Sequence, residues 1–192
     1  SDNEAGILIT GCTFTHTQSL ADGNAICIAE GGNLVTINRC TFTDCHHNQG
    51  FSVIWNYGLN SMEFIDSTIT FTNSAQSSRG IIVFKRSNII IRGSSFHNCV
   101  YGEHGCGFAY NPGKKADSYN NEHISIEDTI FDACSTVNSQ KEKQSTVYIY
   151  TTQSFEFNQV TISNSSPVQN KNIIILEGPN GQVLEEQILK DC

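Results

Sequence analysis

An apolar anchor returns along this chain at Phe14, Phe42, Ile69, Phe96, Phe131, Ile162 and Leu189, at steps of 28, 27, 27, 35, 31 and 27 residues. A period of this length makes each unit one structural repeat, and such a repeat buries its apolar face only against its neighbours. Around the anchor the surroundings also recur. Two apolar residues flank a polar one, a small residue follows after a gap of two, then the anchor, then often a cysteine. The second copy reads Val35-Thr36-Ile37-Asn38-Arg39-Cys40-Thr41-Phe42-Thr43-Asp44-Cys45. The fourth reads Ile89-Ile90-Ile91-Arg92-Gly93-Ser94-Ser95-Phe96-His97-Asn98-Cys99, and the fifth Ile124 to Cys134 follows suit.

Alternation inside each copy is strand-like. Val35 and Ile37 share one face, as do Cys40 and Phe42, and the offset between the two pairs demands a bend. After a polar turn a third apolar run follows, at Ala25–Ile28, Phe51–Trp55, Ile81–Phe84, Val147–Tyr150 and Ile173–Leu176, with Gly105–Tyr110 a glycine-broken version. Three short strands in roughly 27 residues, with no helical period between them, describe one turn of a β-helix. The expected fold is all-β: a right-handed parallel β-helix solenoid of about seven coils, three short strands each. A leucine-rich repeat is the nearest competitor. Its buried Asn/Cys position becomes Val160 and Gln187 in later copies, and the return segments are rich in Ile, Val, Tyr and Phe instead of helix formers.

The chain reads as one solenoid over 1–192, with insertions at 110–123 and 135–145 that leave it at different corners. Insertions on a rigid scaffold often carry binding, so Lys114, Lys115, Tyr119, Lys141 and Lys143 are the candidate partner contacts. The seventh copy stops at Cys192, where its third strand is due, and no amphipathic helix covers either end. A fragment of a longer chain is expected, with further coils, its own or another chain's, in end-to-end contact.

Net charge is −8, with 11 Lys+Arg against 19 Asp+Glu. That balance argues against nucleic acid, which needs clustered cations, and against a polybasic membrane anchor. No apolar stretch approaches the length of a membrane span.

With these repeats in view, the chain resembles the right-handed β-helix, pectin-lyase-like superfamily. Phe42-Thr43-Asp44-Cys45, Phe96-His97-Asn98-Cys99, Phe71-Thr72-Asn73 and Phe131-Asp132-Ala133-Cys134 are similar to the short repeats of polymorphic outer-membrane proteins and of β-helical surface proteins of protists. That resemblance implies a cell-surface or extracellular structural or adhesive role. Fold likeness alone is a weak warrant for function.

Polysaccharide lyases and hydrolases also use this fold, and their chemistry needs grouped carboxylates. The outward position of the first strand reads Leu8, Thr36, Glu63, Ile90, Ser125, Glu156, Val183. Its two acids lie three coils apart, roughly 14 Å, beyond the about 5 to 9.5 Å that glycosidases use. The corner column Arg39, Asp66, Asp128, Gln159, Glu186 offers at most a weak ion pair of Asp66 with Arg39 on neighbouring coils. Neither His46-His47 nor any acidic loop has metal-site character, so no catalytic residue, cofactor or metal is expected.

Three further features stand out. Thr13/Thr15, Thr41/Thr43 and Thr68/Thr70 form a T-x-T array on three coils, the pattern of an ice-binding face. Cys12 and Cys40 share one column and Cys99 and Cys134 another, close enough for disulfides or for reduced thiol stacks, the latter favoured. Asn164-Ser165-Ser166 is a glycosylation sequon, followed by Pro167. The expected function is a non-enzymatic structural or adhesive surface β-helix with a protein or glycan partner. The alternatives are polysaccharide binding or cleavage, a structural part of an intracellular assembly, and ice binding.

Overall fold

A computed structural model describes residues 6–19, 23–29, 34–46, 52–57, 61–73, 78–84, 87–101, 105–111, 123–136, 145–150, 154–165, 174–177 and 189–190. The chain winds through three parallel sheets, one strand per sheet per coil. The first sheet stacks β1 (Ile7–Thr10), β4 (Val35–Asn38), β7 (Met62–Ile65), β10 (Ile89–Arg92), β14 (His123–Glu127), β18 (Ser154–Asn158) and β21 (Leu189–Lys190). The second stacks β2 (Thr13–Thr15), β5 (Thr41–Thr43), β8 (Thr68–Thr70), β11 (Ser95–His97), β15 (Ile130–Asp132) and β19 (Thr161–Ser163). The third stacks β3 (Gly23–Ile28), β6 (Ser52–Asn56), β9 (Arg79–Val83), β13 (Phe108–Tyr110), β17 (Val147–Tyr150) and β20 (Ile174–Glu177). A short pair, β12 (Val100–Tyr101) with β16 (Ser135–Thr136), extends the corner between the second and third sheets.

The expected register holds for the anchors from Phe14 to Ile162. Phe14, Phe42, Ile69, Phe96, Phe131 and Ile162 lie side by side on successive coils. Two corrections apply at the far end. Leu189 pairs with Phe157 in the first sheet, not with Ile162 in the second. The sixth step is therefore 32 residues on the first-sheet register, not 27. Among the described residues six coils carry all three strands, and β21 alone represents a seventh. Val183 and Glu186, which the sequence placed in outer columns, lie outside the described residues.

Each bend between the first and second strands is made by one residue in the left-handed region. The six are Gly11, Arg39, Asp66, Gly93, Asp128 and Gln159, with φ from 46° to 62°. One such residue turns the chain without using up more of it, so the spacing from Ile37 to Phe42 recurs from Ile9 to Phe14 and from Phe157 to Ile162. A non-glycine residue there carries a steric cost, and the small residue after it supplies compensation. Ser67 Oγ accepts the Cys40 N–H at 3.0 Å and Ser94 Oγ accepts the Ser67 N–H at 3.2 Å, while each hydroxyl donates to the carbonyl two residues before it. The recurrent small residue thus caps backbone groups at a corner where no strand ladder runs.

The core is a run of stacked side chains. Phe14 and Phe42 lie 4.7 Å apart and parallel, and so do Phe96 and Phe131 at 4.8 Å. Ile69 interrupts that column, and Phe64 from the first sheet bridges the gap, 6.2 Å from Phe42 and 5.6 Å from Phe96. Gly80 and Gly107 make room for the rings. A Cβ on Gly107 would lie 2.6 Å from Phe131 Cδ1, and one on Gly80 would lie 2.9 Å from Phe96 Cδ1 and strike the Gly107 carbonyl. Gly107, which breaks the third-strand pattern at Gly105–Tyr110, therefore serves the packing.

Candidate functional site

Each sheet shows its own outer face. On the first, Thr36, Glu63, Ile90, Ser125 and Glu156 fall in one column, so the two acids are three coils apart as expected. Glu63 accepts a bond from Thr36 at 2.9 Å, and the neighbouring Glu127 accepts one from Ser125 at 2.6 Å. These carboxylates are tied to hydroxyls beside them, not aimed at a common point. Asp66 does not join Arg39. Its Oδ1 lies over Gly93 on the following coil, 2.5 Å from where a Cβ would stand, because glycine leaves that space open. No ion pair links Asp66 and Arg39 among the described residues.

On the second face the T-x-T pairs lie in register on three coils. Thr13, Thr15 and Thr41 are exposed, while Thr43, Thr68 and Thr70 are half-buried. Thr68 shares a hydrogen bond with Ser95 at 3.1 Å, so its hydroxyl is engaged along the column. Further along, two His–Asp pairs join adjacent coils: His16 Nε2 to Asp44 Oδ2 and His97 Nδ1 to Asp132 Oδ2, both at 3.7 Å. Partial burial by itself raises the Asp44 carboxyl, but the Thr72 N–H and hydroxyl, with His16 and His46 nearby, hold it below the usual range. Asp132 is held low by Asn164 Nδ2 and Ser163 Oγ, each at 2.8 Å, and by His97. These acids act as ties between coils.

Asn164, the sequon residue, is exposed and sits in the left-handed region at φ 50°. Its amide nitrogen, the atom a glycan would occupy, donates to Asp132. The seven described cysteines are free thiols. Cys12 and Cys40 occupy one corner column, and Cys40 Sγ reaches back to Ile9 O at 3.5 Å. Cys134 Sγ does the same toward Phe96 O at 3.4 Å, beside Cys99. Burial pushes the Cys45, Cys99 and Cys106 thiols up, which keeps them protonated. Lys114, Lys115, Tyr119, Lys141 and Lys143 lie outside the described residues. The strands around them place the two insertions at different corners: β13 ends at Tyr110 and β14 starts at His123, whereas β16 ends at Thr136 and β17 starts at Val147.

The third face carries what the sequence reading overlooked. Cys27, Trp55, Ile82, Ala109, Tyr148 and Ile175 form one column on the side of the sheet away from the core, in which Ile82, Ala109 and Tyr148 are themselves buried. Tyr57 and Phe84 stand in the next, from their backbone bonds to Ile28 and Asn56. Trp55 and Phe84 rings meet at 4.5 Å and Tyr57 and Phe84 at 6.5 Å. Tyr57 is 46% exposed, with Trp55 and Phe84 half-buried. Parity was the available signal: Trp55 lies between inward Ile54 and Asn56. A second omission is Arg79, buried at the corner before the third sheet with its guanidinium 4.0 Å above the Tyr101 ring. Burial brings it down to about 10, against the favourable influence of Tyr101 and Cys106.

Among the described residues no cluster of three or more metal-ligating side chains occurs, and no helix is long and apolar enough to cross a membrane. No curated protein and no solved structure matches the chain. The family model described as a right handed beta helix region matches residues 1–186. Strands pair in parallel on three sheets, the same corner recurs in the six coils that carry all three strands, and the match covers all of those strands; the chain belongs to the right-handed β-helix family.

Proposed function

We propose that this chain is a non-enzymatic structural and adhesive β-helix, displayed at a cell surface or outside the cell, which contacts its partner through the aromatic strip of Trp55, Tyr57 and Phe84. The strip carries the reading. Tryptophan and tyrosine are the side chains that dominate binding hot spots, and here they stand on a rigid sheet where little ordering is lost on contact. Four of the described carboxylates support a non-catalytic role, because Glu63, Glu127, Asp44 and Asp132 are each bonded to a neighbouring hydroxyl or amide.

The same strip favours a glycan as the second reading, since flat rings at coil spacing suit stacking against sugar faces. The test is binding of the purified chain to intact cells and to immobilised polysaccharides, alone and as Tyr57→Ala and Trp55→Ala. A hot-spot loss of about 2 kcal/mol weakens binding by about 30-fold. Cell binding that falls this far in both variants supports adhesion, and binding confined to polysaccharides moves the assignment to the glycan reading. Release of new reducing or unsaturated ends from any polysaccharide overturns the non-enzymatic role, and undiminished binding by both variants overturns the strip.

A further inference from the structure

A buried cation in a folded chain ordinarily comes with an opposite charge, because removing it from water is costly and a neutral partner offsets only part of that cost. Arg79 departs from this rule. It opens β9 at the corner between the second and third sheets and is 6% exposed. Among the described residues no carboxylate forms an ion pair with it, and its Nε has no hydrogen-bond partner. Ser52 faces it from the preceding coil, by strand register. Cys106 borders it from the following coil, where its carbonyl accepts the Gly80 N–H. Tyr101 lies beneath its guanidinium. A ring face attracts a cation through its quadrupole but does not neutralise it. The Cys106 thiol is held protonated by burial and supplies no charge.

The surroundings repeat the deficit. Among the buried side-chain atoms without a partner in the described residues, Asn24 Oδ1 and Arg79 Nε lie at the starts of β3 and β9, on the same edge of the third sheet. Asn24 stretches across two coils to donate to Ser78 Oγ at 3.3 Å, next to Arg79 in the chain. Water can satisfy an amide oxygen or a hydroxyl there, but it leaves the guanidinium charge in place.

We propose that Arg79 is an anion site, and that it takes a small inorganic anion of chloride size. The size follows from the burial: a side chain this enclosed admits an ion of one or a few atoms and not the terminal group of a polymer. The charge of the whole chain, −8, does not prevent this, because exposed charges beyond a screening length contribute little at a desolvated site. The bound anion would pin coils three and four together at the corner from which the 135–145 insertion leaves one coil later.

Thermal unfolding by circular dichroism tests this, with sodium chloride or bromide replacing sodium methanesulfonate at constant ionic strength. A ligand at ten times its Kd raises Tm by about 3 to 6 °C in a chain of this size. That rise is expected in the natural chain and absent in Arg79→Met. Crystals soaked in bromide give a measurement free of any folding defect in the variant, and an anomalous peak against the Arg79 guanidinium is expected. A chloride-independent Tm, the same rise in Arg79→Met, or no bromide at Arg79 would overturn the site. Glu103, two residues beyond Tyr101 in sequence, is the internal alternative. If Glu103→Gln lowers Tm while chloride does nothing, the counter-charge belongs to the chain and the proposal fails.

Discussion

Gly107 and Phe131 should behave as one packing unit, and a double-mutant cycle can show it. A methyl at Gly107 would stand 2.6 Å from Phe131 Cδ1 and 2.9 Å from Cε1. The ring is fully buried and stacked on Phe96 at 4.8 Å and 14°, which leaves it little room to shift. Gly107 has no left-handed backbone, so Gly107→Ala adds no dihedral strain and isolates the steric effect. Overpacking of this kind costs about 1 to 3 kcal/mol, reduced by about 0.4 to 1 kcal/mol because alanine restricts the unfolded chain. Phe131→Ala alone should cost about 3 to 5 kcal/mol, as the ring is fully buried. In the Phe131→Ala background only a 3.3 Å approach to the Thr146 carbonyl remains, and most of the cost of Gly107→Ala should disappear. The expected coupling is about 2 kcal/mol, or about 4 to 8 °C in Tm.

The assay is urea unfolding followed by far-ultraviolet circular dichroism and by fluorescence of Trp55, the single tryptophan. The two probes must coincide before a free energy is taken, since stacked coils can unfold stepwise. Gly80→Ala with Phe96→Ala is the internal contrast. A Cβ on Gly80 also strikes the Gly107 carbonyl, so removing the Phe96 ring should leave most of its cost. Equal costs for Gly107→Ala with and without Phe131 would refute the reasoning, as would a silent Gly107→Ala.

Two more outcomes are expected. In a Cys192→Ser background, a thiol reagent should react quickly with exposed Cys27, more slowly with half-buried Cys12, and with Cys40, Cys45, Cys99, Cys106 and Cys134 only on unfolding; fewer than seven thiols in denaturant would reveal a disulfide. The lowered carboxyls of Asp44 and Asp132 contribute stability that is fully present above the unfolded Asp value near 4, and lost as the pH falls through their folded values. Acid titration of Tm should therefore show a smaller drop below pH of about 4 in Asp44→Asn/Asp132→Asn than in the natural chain, and identical profiles would remove their role as ties.

Much of the solenoid was legible because its signals are local. The anchor column from Phe14 to Ile162 and the three strands per coil follow from alternation and period, which stacking amplifies without altering. Leu189 was misplaced for the same reason. In Leu184-Glu185-Glu186-Gln187-Ile188-Leu189 no small residue or alternation fixes the strand, so equal spacing was the remaining guide, and the sixth coil is longer than the period. The outer features were less visible. Trp55, Tyr57 and Phe84 flank or end short, largely apolar runs whose parity is the one local cue to which residues face out, and the strand pairing makes it explicit. Arg79 reads as the polar start of a strand, and its burial depends on Tyr101, which arrives a full coil later.

The bend between the first and second strands keeps the same length in every described coil, while the long steps fall at the other two corners. This solenoid therefore has one seam that is closed to editing and two that are open. A single residue gained or lost between Ile37 and Phe42 would turn the side chains of the second strand to the wrong face before the next corner could absorb the change, so such changes should be purged wherever they arise. Segments added between Thr136 and Val147, or between Tyr110 and His123, leave the register of neighbouring coils intact. Lineages of such chains can then diversify loops on two flanks at little structural risk, and a foreign epitope grafted there would be held at a known height along the rod.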